Sequence, residues 1–310
     1  MSKARRFREL LNSDDLVVSV GAYDGYSARL IEQAGFKTVA TTGAAIANAR
    51  LGLPDMGYMG LAENLDQCRA IVRAVALPVT CDADTGYGNP LNVHHTVREF
   101  EAVGAAGINI EDQVSPKRCG HMKGKEVVSR GEMVKKIDAA CLARRDDDFV
   151  VIARTDALAV EGLEPTLERI RAYAGAGADV IFADAVDSEE TIKRVVEAAG
   201  VPVSVNMGFG IRERPTTPLI PLPRLKALGV RRVSLPRMLP AAAIMAMRNA
   251  LVVMKEVVET GEPVNRTDML VGIDEIWELM GYSDARALED RLLTLESLDS
   301  KYGRPSSAAE

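Results

Sequence analysis

Cysteine is scarce in this 310-residue sequence: four residues, Cys68, Cys81, Cys119 and Cys141, are widely spaced with no C-x-x-C pair. Neither a zinc site nor a disulfide framework is expected, and a reducing, cytoplasmic setting is the expectation. Positive charge is not in excess either, with 38 Lys and Arg against 44 Asp and Glu and a net charge of −6. That balance argues against a surface built for a phosphate backbone, so nucleic acid is not an expected partner. Long hydrophobic runs are absent; no stretch of 18 apolar residues occurs, and no membrane partner is expected. The opening MSKARRFRELL lacks an apolar h-region, and Glu9, Asp14 and Asp15 come too early for a transit peptide. A helix capping the body of the protein is expected there. What is present is a 47% hydrophobic, 26% charged composition able to bury a sizeable core. No linker divides the chain, and a single domain over residues 1–310 is expected.

Short runs rich in Val, Ile and Ala alternate with amphipathic stretches, the pattern of parallel βα units. The expected strands are Val17–Gly21, Thr38–Thr41, Pro78–Asp82, Gly107–Glu111, Phe149–Arg154, Val180–Ala183, Val201–Asn206 and Arg231–Ser234. Helical spacing marks Gly25–Ala34, Ala62–Ala74, Val93–Val103, Arg130–Ala143, Leu163–Ala174 and Glu189–Ala198. Eight strands with intervening helices specify an α/β fold, a closed (β/α)8 TIM barrel with extra terminal helices. The endings AGF, VGAAG, AGAGAD, AAGVP and LGV place a glycine between helix and strand, where a left-handed residue is wanted. After strand eight, Met238–Glu259 reads as a long apolar helix and Ile273–Leu293 as a helical tail, with KYGRPSSAAE expected to fray. The Met207–Pro223 segment after strand seven is a long irregular segment, read either as a functional loop of the barrel's upper face or as a solvated connector.

Barrel enzymes place their chemistry where strands end, and here the strand ends are acidic. Asp82, Asp84, Glu111, Arg154, Asp184 and Asn206 follow the apolar runs of strands three to seven and are expected at one cavity mouth. Clustered carboxylates repel unless a cation compensates, and hard oxygen ligands select Mg²⁺ or Mn²⁺. Asp112 and Asp156 are read as helix caps instead. Directly after strand four, Pro116-Lys117-Arg118-Cys119-Gly120-His121 sets a thiol among cations in a glycine-containing loop. Such a setting suits a reactive cysteine and anionic substrate groups; the other three cysteines are read as inert core.

These motifs occur in order: a Thr-Gly-Ala loop after strand two, Leu-Pro-Asp at 53–55, Asp-Ala-Asp-Thr-Gly-Tyr-Gly at 82–88, Ile-Glu-Asp-Gln at 110–113, Lys-Arg-Cys-Gly-His at 117–121 and Ala-Arg-Thr-Asp at 153–156. Together they resemble the isocitrate lyase/phosphoenolpyruvate mutase superfamily, nearest its methylisocitrate lyase, dimethylmalate lyase and carboxyphosphonoenolpyruvate mutase group. The resemblance implies Asp82 as the direct Mg²⁺ ligand, with Asp84, Glu111 and Asp55 holding the metal's waters. It implies Thr42, Gly43, Ala44 and Arg154 around the carboxylate of a pyruvate-like half, with Tyr23 lining the same pocket. Cys119 would be the general acid on a loop that closes over substrate, with Lys117, Gly120 and His121 holding that loop and the far carboxylate, and Asn206 would bind substrate.

The reaction so implied is cleavage of a substituted malate (a di- or tricarboxylate such as 2-methylisocitrate or 2,3-dimethylmalate) to pyruvate and a carboxylic acid. A carboxyphosphonoenolpyruvate-type phosphonomutase and an oxaloacetate hydrolase or decarboxylase are the alternatives. The resemblance further implies a homo-oligomer, a dimer of dimers, in which helices over about 238–295 are exchanged between subunits. Two departures concern the substrate. Asp184 stands where the lyases are expected to carry Glu, and the segment after Asn206 introduces Arg212 and Arg214, read either as solvated or interface residues or as guanidinium forks for an additional carboxylate.

Overall fold

A computed structural model describes residues 1–214 and 216–303. Eight parallel strands close into a barrel in sequence order: β1 (Val17–Ala22), β2 (Thr38–Thr41), β3 (Val79–Asp82), β4 (Gly107–Glu111), β5 (Val150–Thr155), β6 (Val180–Ala183), β7 (Val203–Asn206) and β8 (Arg232–Leu235). Closure runs through β1 and β8, with Ser19 opposite Ser234. The helices of the barrel are α1 (Lys3–Asn12), α2 (Gly25–Gln33), α3 (Gly43–Leu51), α4 (Leu61–Ala74), α5 (Pro90–Ala102), α6 (Arg130–Ala143), α7 (Leu158–Glu161), α8 (Leu163–Gly175), α9 (Glu189–Ala199) and α10 (Leu222–Ala227). Beyond them come α11 (Met238–Thr260), α12 (Ile273–Leu279), α13 (Tyr282–Leu292) and α14 (Leu295–Tyr302). Contacts divide the chain into a barrel unit, Met1–Met245, and a helical unit from Ala246 onward.

Strand periodicity of two sorts the side chains into two cores. Val20, Val39, Val79, Cys81, Ile108, Ile110, Val151, Ala153, Ile181, Val205 and Val233 pack with helix residues such as Ile31, Ile71, Val97, Ile137 and Ile170. The alternate residues Val17, Val150, Ile152, Val180 and Phe182 turn inward and form a second cluster with Phe7 and Leu11 of α1. Helix α1 therefore plugs the end of the barrel where the strands begin, as expected for the opening segment. Ser2 caps it by accepting a hydrogen bond from the Arg5 amide.

The turns between helices and strands carry the expected glycines in left-handed backbone, with φ of 82° at Gly35, 88° at Gly104, 101° at Gly177, 65° at Gly200 and 90° at Gly229. Each ends a helix and lets the chain reverse into the next strand without Cβ strain. Three details differ from the sequence expectation. The Thr-Gly-Ala segment is not a loop but the start of α3, with Thr42 as its N-cap. The tail expected as one helix breaks between α12 and α13 at Gly281, whose φ is 81°. Lys301 and Tyr302, expected to fray, close α14, where the Lys301 ammonium lies 2.9 Å from Glu289 Oε1; residues 304–310 of the expected frayed end lie outside the described residues.

Candidate active site

Because inward positions alternate, Thr80 and Asp82, Asn109 and Glu111, Ile152 and Arg154, Phe182 and Asp184, Ser204 and Asn206, and Arg232 and Ser234 stack toward the C-terminal mouth of the barrel. A small cavity of about 80 Å³ opens there, lined by residues of β2, β3, β4, β5, β6, β7 and β8 and by the loop that follows β4. Thr42, Ala44, Asp55, Asp82, Lys117, Cys119, Gly120, His121, Arg154, Asp184 and Asn206 all line it, so most of the candidate residues meet at one place. Gly43 joins them through its backbone, which donates to Asp82 Oδ2 at 3.2 Å. A Cβ on Gly43 would sit 2.8 Å from that oxygen, so only glycine lets the α3 N-terminus come this close. Tyr23 does not line the cavity. It follows β1, half-buried against the outer core, with its amide donating to Ser27 Oγ.

The acids form a connected set. Asp82 Oδ1 accepts from the Asp84 amide at 3.3 Å and from Asn109 Nδ2 at 3.4 Å. Asp84 is buried in left-handed backbone with φ 48°, a strained state of the kind found at functional sites. Lys117 Nζ bridges Asp55 Oδ1 at 2.5 Å and Asp84 Oδ1 at 2.8 Å. Burial pushes the Asp84 carboxyl up to about 6 even against the Lys117 charge. Burial also raises Glu111 well above the carboxylate range, opposed by Arg154. Glu111 Oε1 and Asn109 Oδ1 are buried without a hydrogen-bond partner, which costs free energy unless something else satisfies them. No three of the described His, Cys, Asp and Glu side chains stand close enough to ligate one ion together. The set instead offers hard oxygens around Asp82, two buried oxygens unused, which fits an ion that keeps most of its waters.

Arg154 is the hub of the opposite wall. Its guanidinium lies 3.1 Å from Glu111, 2.8 Å from Asp156 and 2.9 Å from Asp184. Although burial works against the charge, these three carboxylates hold Arg154 well above its ordinary pKa. Asp184, buried but facing Arg154, is held below the usual carboxylate range. It also accepts from Asn206 Nδ2 at 3.2 Å. The expected capping roles of Asp112 and Asp156 do not hold. Asp156 takes Arg154 and, at 3.0 Å, Lys125 Nζ, and Asp112 accepts from Thr155 Oγ1, the Asp156 amide and Tyr173 Oη. Both carboxylates hold other side chains in place: Ala157, not Asp156, is the N-cap of α7, and after Asp112 no helix begins until α6, which Ser129 caps.

The loop after β4 lies over this mouth. The Cys119 amide donates to Asp55 O, Gln113 brackets Arg118 through both ends of its amide, and Lys125 Nζ donates to Gly120 O at 2.5 Å. Any Cβ at Gly120 would collide with the Asp184 carboxylate and the Arg154 guanidinium. His121 contacts Arg214 Nη1 at 2.6 Å and Thr216 Oγ1 at 2.7 Å, and burial pushes its imidazole down to about 4. Cys119 Sγ accepts from Arg237 Nη2 at 3.4 Å.

Sequence reasoning missed Arg237, Lys125 and Arg232. Arg232 sits deep in the barrel, donating to Ser19 Oγ, Ser204 Oγ and Thr80 Oγ1, each at 3.0 Å, and burial lowers its pKa to about 10. Its signal was available, since it shares the inward phase of Ser234 in an otherwise apolar strand; Lys125 gave none, because only the loop's path brings it inward. Of the two arginines after Asn206, Arg214 lines the cavity while Arg212 is exposed.

Residues 7–255 match the family model described as phosphoenolpyruvate phosphomutase. The chain is 40% identical to 2,3-dimethylmalate lyase of Eubacterium barkeri over 95% of its own length and 99% of that protein's. It is 40% identical to 2-methylisocitrate lyase of Shewanella oneidensis, covering 96% and 99% of the two chains. Among solved structures, an oxaloacetate acetylhydrolase bound to the inhibitor 3,3-difluorooxalacetate superposes with a TM-score of 0.86 at 37% identity, covering 94% of this chain and 97% of that one. The chain belongs to the isocitrate lyase/phosphoenolpyruvate mutase superfamily.

Proposed function

We propose that this protein is a carbon–carbon lyase that cleaves a substituted malate, of the 2-methylisocitrate or 2,3-dimethylmalate type, to pyruvate and a carboxylic acid. One observation carries the reading: the Cys119 thiol, the Arg154 guanidinium and the carboxylates of Asp82 and Asp184 share a single small cavity. A thiol adds nothing to a pocket that holds Mg²⁺ through hard oxygens, but a reaction that generates a carbanion needs a proton donor beside it. The names of the two 40%-identical relatives agree with this substrate class.

In the mechanism, Arg154 and the Thr42–Ala44 turn receive the carboxylate of the pyruvate half, and the carboxylates around Arg154 fix its orientation before substrate arrives. Mg²⁺, with Mn²⁺ as the alternative, would be held by Asp82 directly and by Asp84, Glu111 and Asp55 through its waters, and supplies Lewis-acid stabilisation of the oxygens on that half. Lys117 ties Asp55 and Asp84 together and holds both in place. The loop fixed by Gly120 and Lys125 excludes water, and Cys119 delivers its proton to the carbon released by cleavage.

The test is to incubate the protein with Mg²⁺ and 2-methylisocitrate, 2,3-dimethylmalate, isocitrate or oxaloacetate, and to follow 2-oxo acid release with and without a chelator. Chelator-sensitive pyruvate release is expected, and Cys119→Ser should lower its rate by about 10²- to 10⁴-fold. Undiminished cleavage by that variant would remove the thiol from the reaction. The likeness to oxaloacetate acetylhydrolase at 37% identity favours a second reading, hydrolysis of the four-carbon oxaloacetate; oxalate and acetate without pyruvate would select it.

A further inference from the structure

Three arginines line the cavity without a carboxylate in hydrogen-bonding contact. Arg214 meets the uncharged His121 ring and the Asn206 carbonyl, Arg237 meets Asn48 Oδ1 and Cys119 Sγ, and Arg232 meets three hydroxyls. Arg154 and Lys117, by contrast, are each surrounded by acids. Arg214 also keeps a buried Nε with no partner. A guanidinium with no carboxylate in direct contact, even with Asp184 nearby as for Arg214, attracts a further anion into a confined cavity. Arg232 lies below, its donors taken by barrel hydroxyls. Arg214 and Arg237 come from the segments after β7 and β8, flank Cys119 and His121, and their partners leave guanidinium N–H groups over.

Position relative to the thiol gives these two a role. We propose that Arg237 and Arg214 form the subsite for the carboxylate attached to the carbon that Cys119 protonates, and that they stabilise the charge appearing there as the C–C bond breaks. The inference rests on the lyase reading and deepens it. In that reaction the C2 hydroxyl loses its proton and becomes the carbonyl of pyruvate. The C2–C3 bond breaks with its electron pair on C3, delocalised onto the carboxylate that C3 carries. The Cys119 proton then forms the new C3–H bond, and the resulting thiolate recovers a proton from solvent, replacing the one released from the hydroxyl. Since C3 must meet the Cys119 thiol, the carboxylate one C–C bond from C3 lies near that thiol and within reach of the guanidinium 3.4 Å from its sulfur. Charge develops there only as the bond breaks, so a preorganised cation lowers the barrier more than it tightens substrate binding. Arg237 is then a catalytic residue, and Arg214 both binds the carboxylate and positions His121.

Two simple anions separate this subsite from the pyruvate side: succinate, which carries a carboxylate on a CH₂, and oxalate, which mimics the carboxylate and adjoining oxygen of the pyruvate half. Calorimetry on the Mg²⁺-loaded protein should show both binding. Arg237→Gln and Arg214→Gln should weaken succinate at least about tenfold and leave oxalate within about twofold. With the substrate identified above, kcat should fall about 10²-fold with a much smaller change in KM, and Arg237→Lys should recover part of the loss. A wild-type protein that binds oxalate but not succinate overturns the subsite, as do folded variants that lose both anions equally. Failure to release pyruvate from any malate would remove the lyase reading, while the contrast between the two anions would still decide the subsite.

Discussion

At the scale of single residues, His121 shows how the site sets a protonation state. Its ring lies against Arg214 and Thr216, and burial takes it from 6.5 to about 4, helped by the Arg214, Arg154 and Lys125 charges and opposed by Asp184. In the unfolded chain the imidazole takes up a proton as pH falls through about 6.5, whereas in the folded protein it stays neutral until about 4. The neutral ring therefore contributes stability that is present above the unfolded pKa and is lost as pH falls between these values. Melting temperature should drop less for His121→Asn than for the native protein between about pH 7 and pH 4.5. Equal slopes would show that His121 does not stay neutral in the fold. The residue types needed at this site were legible where they clustered, as in Lys117–His121. Arg237 was not, since a single arginine after β8 has no sequence neighbour to mark it and reaches Cys119 across 118 positions.

Among the elements, the strands were more legible than the short helices, and the reason is periodic. An inward residue recurs every second position, so the same phase that buries Val150 and Ile152 brings Arg154 to the rim. Once β5 is recognised, the placement of its catalytic candidate follows. Helix α3 is hard to see in the sequence because its Ala-rich GAAIANARL has little amphipathic contrast. Helix α10, six residues that open Leu-Pro, is too short to show a helical period at all. Helix α1 makes the opposite case, since its apolar face was visible in MSKARRFRELL and has a definite job. Phe7 is fully buried among Val150, Ile152 and Val180 at the barrel's lower end. Phe7→Ala should lower stability by about 3–5 kcal/mol in denaturant titration, the range for large-to-small changes at full burial. A loss under about 1 kcal/mol would mean that the helix can leave the barrel end and solvent can take its place.

For the whole molecule, the helical unit poses a problem that one chain does not solve. Helix α11 runs for 23 residues, and neither it nor α12, α13 and α14 contains a buried residue. Leu251 is 68% exposed and Val258 72%, with Met247, Val252, Met254, Val264, Leu270, Ile273 and Trp277 also exposed. Within this unit Leu251, Met254, Val257, Met269 and Leu270 border an apolar cleft of about 400 Å³. A helix hydrophobic on most of its circumference is stable only when covered, and no helix among the described residues is long and apolar enough to cross a membrane. We propose a second copy of this chain as the cover: obligate homodimer interfaces are large and apolar, and a two-fold pair offers the same surface from both sides. Light scattering should return a mass of four chains, as expected for a dimer of dimers. The pair of substitutions Leu251→Glu and Met254→Glu, one helical turn apart, places charge in that interface and should shift the population toward the 33.4 kDa chain with a lower melting temperature. If the native protein already runs as a single chain, or if the charged variant keeps the native mass, the apolar face of α11 is not what holds subunits together.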